Sequence, residues 1–408
     1  MRVIDGGITA PEGFKAAGRH IGIKKVKKDI ALLTSDVPAK AAGVYTQNRI
    51  KAAPVIWNSN ITKKGGLVRG LVCVSGNANA CTGQKGISDN EMMAQAMAWL
   101  MGVEKEEILT AATGIIGLQM PMEKILKGIE ETYPEISDKR DSAKNAASGI
   151  ITTDTFIKEI AVELNIGGKI VKIGGMAKGS GMIHPNMATV LSFVTTDINI
   201  SQQLLQKALS NAVRETYNMI SVDGAMSTND MALIIANGLA ENEEITEENE
   251  FYEAFERALL FIHEKFARDI IHDGEGASKF IQVDLAGAKT TEDARILAKS
   301  IVTNDLVKTA MYGEDANWGR IAAAMGGSGA YFNPDNLKVE MSSEKGRILL
   351  MDNGEPVRFD ENLASDILSQ KDIYITIVLK DGTAKARSYG CDLGHEYIRI
   401  NGEYRSHS

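Results

Sequence analysis

Between Lys178 and Phe193 the chain reads Lys-Gly-Ser-Gly-Met-Ile-His-Pro-Asn-Met-Ala-Thr-Val-Leu-Ser-Phe. A glycine-punctuated loop passes through the small residue Ala188 to the hydroxyl residue Thr189, which opens an apolar run from Val190 to Thr195. Any fold for this chain must lead a conformationally free segment straight into a buried strand, because β-branched and aromatic side chains suit a pleated surface. The same layout suits a self-cleaving peptide bond. Attack of Thr189 Oγ1 on the Ala188 carbonyl gives an ester whose hydrolysis leaves Thr189 as a new N-terminus, with nucleophile and base in one residue. An α-amine titrates near about 7.7 to 8.0, so a useful fraction is neutral and able to take the hydroxyl proton. The plainer account is that Thr189 only begins a strand, and residue types alone leave both open.

Strand-like and helix-like runs alternate on both sides of Thr189. Before it, Ile30 to Leu33 and Leu67 to Val74 read as strands; Asn90 to Met101, led by Ser88-Asp89, Met122 to Tyr133 and Lys139 to Ser148 read as helices. A strand pair, Ile160 to Leu164 and Lys169 to Ile173, is joined by the turn Asn165-Ile-Gly-Gly. After it come a helix from Ser201 with Leu204, Leu205, Ala208, Leu209 and Ala212 on one stripe, a strand at Met231 to Ala236, and a long helix at Glu247 to Ile271. A strand at Phe280 to Ala286 and a helix at Glu292 to Lys308 follow. Beyond Ser328 the pattern turns to strands at Lys338 to Met341, Arg347 to Leu350, Tyr374 to Leu379 and Thr383 to Ser388, the last two reading as a hairpin across Lys380-Asp-Gly-Thr. This mixture argues for a layered α+β fold.

A chain of 408 residues with 44% hydrophobic content can build two or three lobes. A formal net charge of -8 with interspersed signs gives no basic footprint for nucleic acid or anionic membrane. The first twenty residues lack the apolar core of a signal peptide, and no run approaches a membrane span. Three cysteines, Cys73, Cys81 and Cys391, cannot complete a paired framework, so a reducing cytoplasm is the expected compartment and Cys81 reads as a small packed residue. The stretch Gly174-Gly-Met-Ala-Lys-Gly-Ser-Gly181 lacks a phosphate loop's Gly-Lys-Ser/Thr ending; it reads as a loop bending toward Ala188. Six histidines, His20, His184, His263, His272, His395 and His407, show no metal-ligand spacing, and no metal is expected.

Nine further segments extend the pattern along the whole chain: Thr9-Ala-Pro-Glu-Gly-Phe-Lys-Ala-Ala-Gly18, Ser75-Gly-Asn-Ala-Asn-Ala-Cys-Thr-Gly83, Thr113-Gly-Ile-Ile-Gly117, Thr152-Thr-Asp-Thr155, Val222-Asp-Gly-Ala-Met-Ser-Thr-Asn-Asp230, Asp273-Gly-Glu-Gly-Ala-Ser-Lys279, Gly313-Glu-Asp-Ala-Asn-Trp-Gly-Arg320, Gly390-Cys-Asp-Leu393 and the C-terminal Asn401-Gly-Glu-Tyr-Arg-Ser-His-Ser. With the Ala188-Thr189 segment they resemble, in order, the ornithine acetyltransferase or glutamate N-acetyltransferase family of arginine biosynthesis. That resemblance implies an α/β/β/α-type sandwich with a smaller second lobe, of the self-cleaving N-terminal-threonine type. It implies cleavage between Ala188 and Thr189 into segments 1–188 and 189–408, and assembly of the cleaved chains, two of each.

The implied chemistry is acetyl transfer from N2-acetyl-ornithine to glutamate through an acetyl ester on Thr189, with no cofactor and with acetyl-CoA as a further possible donor. Thr113 and Gly114 match the family's oxyanion pair; the residues alone equally allow an ordinary turn. Thr152, Lys178, Thr189, Glu275, Asn401 and Ser406 match its substrate-binding positions. Lys178 would meet a carboxylate and Glu275 an ammonium, whereas Lys178 read by itself is a solvated loop lysine. The family commonly ends in an Asn, a Tyr and a Thr or two; here Ser406 takes the hydroxyl place and His407-Ser408 extend the tail. The rivals are an N-terminal-nucleophile amidase or aminopeptidase, which would discharge the acyl group to water, and an uncleaved, non-catalytic binder of acylated amino acids.

Overall fold

A computed structural model describes residues 1–184 and 190–403. Among the described residues, one sheet comprises β1 (Arg2–Ile4), β2 (Phe14–Arg19), β3 (Ile30–Tyr45), β4 (Leu67–Asn77), β5 (Ile108–Ile115), β6 (Lys158–Ile166), β7 (Lys169–Lys178), β8 (Leu191–Thr196) and, past a short β9 (Ile220–Ser221), β10 (Met231–Ala236). Its order is β1-β6-β7-β8-β10-β3-β4-β5, with β2 on β3. Its helices are α1 (Ala53–Lys63), α2 (Gly83–Met101), α3 (Met122–Thr132), α4 (Arg140–Ile150), α5 (Gln202–Glu215) and α6 (Glu250–His272).

The sheet folds back on itself through β3, whose pairing with β4 shifts register between Thr34 and Ala39. The first half of β3 carries β2 and β4; the second half carries β10. Alternation along the strands then sorts side chains into three cores. Leu33, Ala41, Leu71, Leu109, Phe193 and Leu233 pack together between the two halves. Ile30, Leu32, Val72 and Ala112 face the other way, under Met93, Met97, Ile125 and Ile129 of α2 and α3. Val44, Ile173, Val194 and Ile234 lie under Leu205, Leu209, Phe255, Leu259 and Phe266 of α5 and α6. The order is therefore helix, sheet, sheet, helix, the sandwich implied by the resemblance.

The second lobe has its own core on a sheet of β11 (Phe280–Ala288), β12 (Lys338–Ser343), β13 (Gly346–Asp352), β14 (Glu355–Pro356), β15 (Asp372–Val378) and β16 (Ala384–Cys391), with β9 pairing along the β16 edge. Its helices are α7 (Thr291–Thr303), α8 (Asp305–Tyr312), α9 (Trp318–Gly326) and α10 (Glu361–Leu368), and α11 (His395–Gly402) returns toward the first lobe.

Several expectations need correction. The helix expected from Asn90 begins at Gly83, and Asp89 is not a cap: its buried carboxylate pairs with Lys85 one turn earlier. The single helix over Glu292 to Lys308 breaks at Asn304, whose Oδ1 accepts from Leu306 and Val307 N-H and starts α8. Strands β15 and β16 form no hairpin, because β11 lies between them, parallel to β15 and antiparallel to β16. The turn instead arches over the end of β11, with Asp381 and Gly382 N-H both donating to Gly287 O. Gly174 to Lys178 is strand, not a bending loop. A Cβ on Gly174 would sit 2.0 Å from Gly7 O, so that glycine serves close backbone approach. Cys81 is exposed, at φ +57°, not packed.

Candidate active site

Strand ends and loops of the first lobe converge on a cavity of about 350 Å3. Thr113 and Gly114 reach it from the end of β5, Thr152 and Thr153 from the turn after α4, Lys178 from the end of β7, and Val190 and Leu191 from the start of β8. Ser227 to Asp230, just ahead of β10, form another wall; Glu275 comes from the loop after α6 and Asn401 from α11. Parallel pairing of β8 with β10 aligns two of these ends, Met231 N-H donating to Val190 O at 3.0 Å.

Gly114 sits at φ +132°, and a Cβ there would lie 2.3 Å from the Gly76 carbonyl carbon on β4. A side chain does not fit there, so the backbone of Gly114 meets the cavity without one of its own. Lys178 is buried, not solvated, with Nζ 3.9 Å from Asp154 Oδ2. Asp154 belongs to a buried cluster in which Lys158 Nζ contacts Asp154 Oδ1 at 2.8 Å and Asp273 Oδ2 at 2.5 Å. Asp154 also accepts from the N-H groups of Thr152 and Gly179, and Asp273 from Thr155. Burial alone would raise the Asp154 carboxyl, but Lys178 and Lys158 outweigh it and hold the group well below the usual carboxylate range. Two carboxylates thus balance two ammonium groups, which is what makes so much buried charge tolerable. At 3.9 Å the Lys178 contact is too long for a hydrogen bond, so among the described residues this side chain is oriented by its counter-charge rather than by a hydrogen-bond acceptor.

Glu275 is held by its N-H to Ser180 O at 2.8 Å and accepts on Oε2 from Asn401 Nδ2 at 2.9 Å. A Cβ on Gly181 would come within 2.3 Å of the Glu275 carboxylate, so that glycine makes its seat. Asp230 differs from the other acids. Burial pushes its carboxyl well above the carboxylate range, with Ser227 and Lys178 only partly opposing, and Oδ2 has no hydrogen-bond partner among the described residues.

Six expected residues, Thr113, Gly114, Thr152, Lys178, Glu275 and Asn401, thus line one cavity. Ala188, Thr189 and Ser406 lie outside the described residues; Val190, which follows Thr189, lines the cavity. His184 does not line it: half-buried, it bonds through Nδ1 to Ser221 Oγ at 3.1 Å, and burial with the charge of Lys299 pulls its pKa down to about 4. Sequence reasoning missed Asp154, Lys158 and the Ser227–Asp230 wall, although segments containing Asp154 and Asp230 carried the resemblance. Among the described residues no cluster of His, Cys, Asp or Glu could hold a metal ion, and no helix is long and apolar enough to cross a membrane.

Fold and site together define a layered α+β protein with a cavity in the small-molecule range, lined by the buried Lys178 and Glu275. The chain belongs to the ArgJ family, whose model matches residues 15–406. It is 50% identical over 406 residues to the arginine biosynthesis bifunctional protein ArgJ of Caldanaerobacter subterraneus, covering 100% of both chains. It is 44% identical to the protein of that name from Bacillus subtilis, covering 99% of this chain and 97% of that one. A solved chain described as ornithine acetyltransferase complexed with ornithine, from Mycobacterium tuberculosis, is 38% identical, with 46% of this chain and 99% of that chain covered and a TM-score of 0.43.

Proposed function

We propose that this chain is an acetyltransferase of arginine biosynthesis that moves the acetyl group of N2-acetyl-ornithine to glutamate through an ester on Thr189. Family membership supplies the reaction; the observation that supports the residue assignments is the single cavity shared by Thr113, Gly114, Thr152, Lys178, Glu275 and Asn401. After cleavage of Ala188-Thr189, the Thr189 α-amine takes the proton of its own hydroxyl as Oγ1 bonds to the acetyl carbon. The carbonyl electron pair moves onto oxygen, where the Thr113 hydroxyl and Gly114 N-H are the donors. Collapse of this intermediate breaks the amide bond, the α-ammonium gives its proton to the leaving nitrogen, and ornithine departs. Glutamate's amine then reverses the sequence. Lys178 meets a substrate carboxylate, and Glu275, braced by Asn401, meets the ornithine ammonium.

Incubation with N2-acetyl-ornithine alone is expected to release one equivalent of ornithine in a burst and add one acetyl group to the fragment beginning at Thr189. Turnover then requires glutamate, and rate plots at several glutamate concentrations run parallel. Ornithine release sustained without glutamate would make the chain a hydrolase; no acetylation with tight binding would make it a binder. Thr113→Ala is expected to lower kcat by about a hundredfold with KM little changed, whereas Lys178→Ala raises KM. Acetyl-CoA in place of acetyl-ornithine tests for a second donor. The working form is two copies each of residues 1–188 and 189–408 in the cytoplasm, and native mass measurement checks the stoichiometry.

A further inference from the structure

Asn229 lines the cavity, is 5% exposed, and spends its amide hydrogens on two backbone carbonyls, one beyond the end of β4 and one on β5. Nδ2 donates to Ala78 O, just beyond β4, and to Ala112 O on β5 at 2.8 Å. Its Oδ1 accepts from Thr228 Oγ1 at 2.6 Å, and its own N-H donates to Ser227 Oγ at 3.1 Å, so the amide cannot turn over without losing partners. Ala112 O belongs to the peptide plane that carries the Thr113 N-H, and pinning that oxygen sets the direction in which Thr113 and Gly114 leave the strand. Ala78 N-H in turn bonds to Ile115 O at 3.0 Å, closing the same turn from its far side. Asn229 itself sits two residues before Met231, whose N-H bonds to Val190 O. One side chain therefore ties the strand end bearing Thr113 and Gly114 to the β8–β10 pair.

We propose that Asn229 is a positioning residue for acetyl transfer, fixing the spacing between the Thr113–Gly114 donors and the strand that Thr189 opens. The inference rests on the oxyanion reading of that pair. Donors help only where they meet the developing charge, and a misplacement of about 1 Å can cost about a hundredfold in rate. Asn58 provides an internal control. It clamps the same strand, with Nδ2 to Thr110 O at 2.7 Å and Thr110 N-H to Oδ1 at 2.9 Å, is fully buried, and does not line the cavity.

The experiment compares Asn229→Ala, Asn58→Ala, Thr113→Ala and the Asn229→Ala/Thr113→Ala double variant, with kcat and KM normalised to the cleaved fraction and Tm measured alongside. Asn229→Ala is expected to lower kcat by about 10- to 100-fold with KM nearly unchanged, and the double variant to be little slower than the worse single one. Asn58→Ala lowers Tm but leaves kcat per cleaved molecule within about twofold of wild type, a loss of folded protein rather than of positioning. Should Asn229→Ala not accumulate, Thr228→Val, which removes the hydroxyl orienting Oδ1, is expected to lower kcat in the same direction by a smaller factor. Unchanged kcat in both Asn229→Ala and Thr228→Val beside an impaired Thr113→Ala overturns the proposal alone, as does a double variant equal to the product of the singles. Unchanged kcat in Thr113→Ala overturns the oxyanion reading, and the proposal with it.

Discussion

Asp230 and two histidines, the half-buried His184 and the buried His263, pull stability in opposite directions along the pH scale. An unfolded aspartate ionises near about 3.9, whereas burial keeps the Asp230 carboxyl neutral far above that. The unfolded chain then holds fewer protons, so this residue erodes stability as pH rises from about 4 toward its folded titration, by at most about 1.4 kcal/mol per pH unit. His184 and His263 titrate near 4, depressed chiefly by burial, against about 6.5 unfolded. Their contribution is complete above about 6.5 and is lost as pH falls toward 4. His263 Nδ1 faces Leu259 O at 2.9 Å, so that nitrogen carries the proton, while Nε2 has no partner among the described residues. Denaturant unfolding across this range is expected to show Asp230→Asn gaining on wild type as pH rises, and His263→Leu flattening the acid limb. Identical pH slopes in all three proteins would mean that these groups are solvated. Lys178, Glu275 and Asn401 were legible in the sequence only through resemblance; the Asp154–Lys158–Asp273 cluster was not, because no spacing reveals that a turn after α4, a strand start and a helix end meet in space.

At the scale of elements, legibility followed burial. Helix α5 appeared where its apolar stripe placed it, opened by Ser201, whose Oγ accepts from Leu204 N-H, and β10 matched to the residue, since a strand buried on both faces has no polar position to blur its limits. The errors fell where side chains or topology overrode pattern: Asn304 interrupts a continuous amphipathic run, and a hairpin-like turn gave no hint that β11, from much earlier in the chain, would enter between its arms. Glycines carried the most information about close contacts and were the most easily misread. Gly174→Ala would drive a methyl into the Gly7 carbonyl at 2.0 Å, forcing β7 away from the chain that crosses it; a loss of about 3 kcal/mol or more is expected. Gly326→Ala, in the last turn of α9 with nothing within 4 Å of the new methyl, is expected to be neutral or to stabilise by up to about 1 kcal/mol. Urea midpoints decide it. Equal midpoints for the two variants would show that β7 can shift freely and that the close approach is not structural.

For the whole molecule, the strand order determines what chain cleavage at Ala188-Thr189 can do. Strands β8 and β10 belong to residues 189–408, yet they sit between β7 and β3, both from residues 1–188. Six residue pairs join β7 to β8 and six join β10 to β3, so a cut chain keeps continuous ladders across its own break. The core beneath them also mixes the two segments, with Val44, Val162 and Ile173 packed against Leu205, Phe255 and Leu259. Separation would break both ladders, expose four strand edges and split that core, a cost comparable to unfolding rather than to dissociation of a docked subunit. No covalent tie is needed, and the three cysteines are free. Wild-type protein is therefore expected to elute as one species under native conditions, with or without reductant, and to resolve into residues 1–188 and 189–408 only in denaturant. Thr189→Ala should run as a single band in denaturant and melt at a temperature close to wild type, because the ladders are the same on both sides of an uncut bond. Native separation of the two pieces would contradict the interleaved sheet, whereas an active wild-type enzyme with an intact Ala188-Thr189 bond would leave the sheet standing and remove Thr189 as the nucleophile.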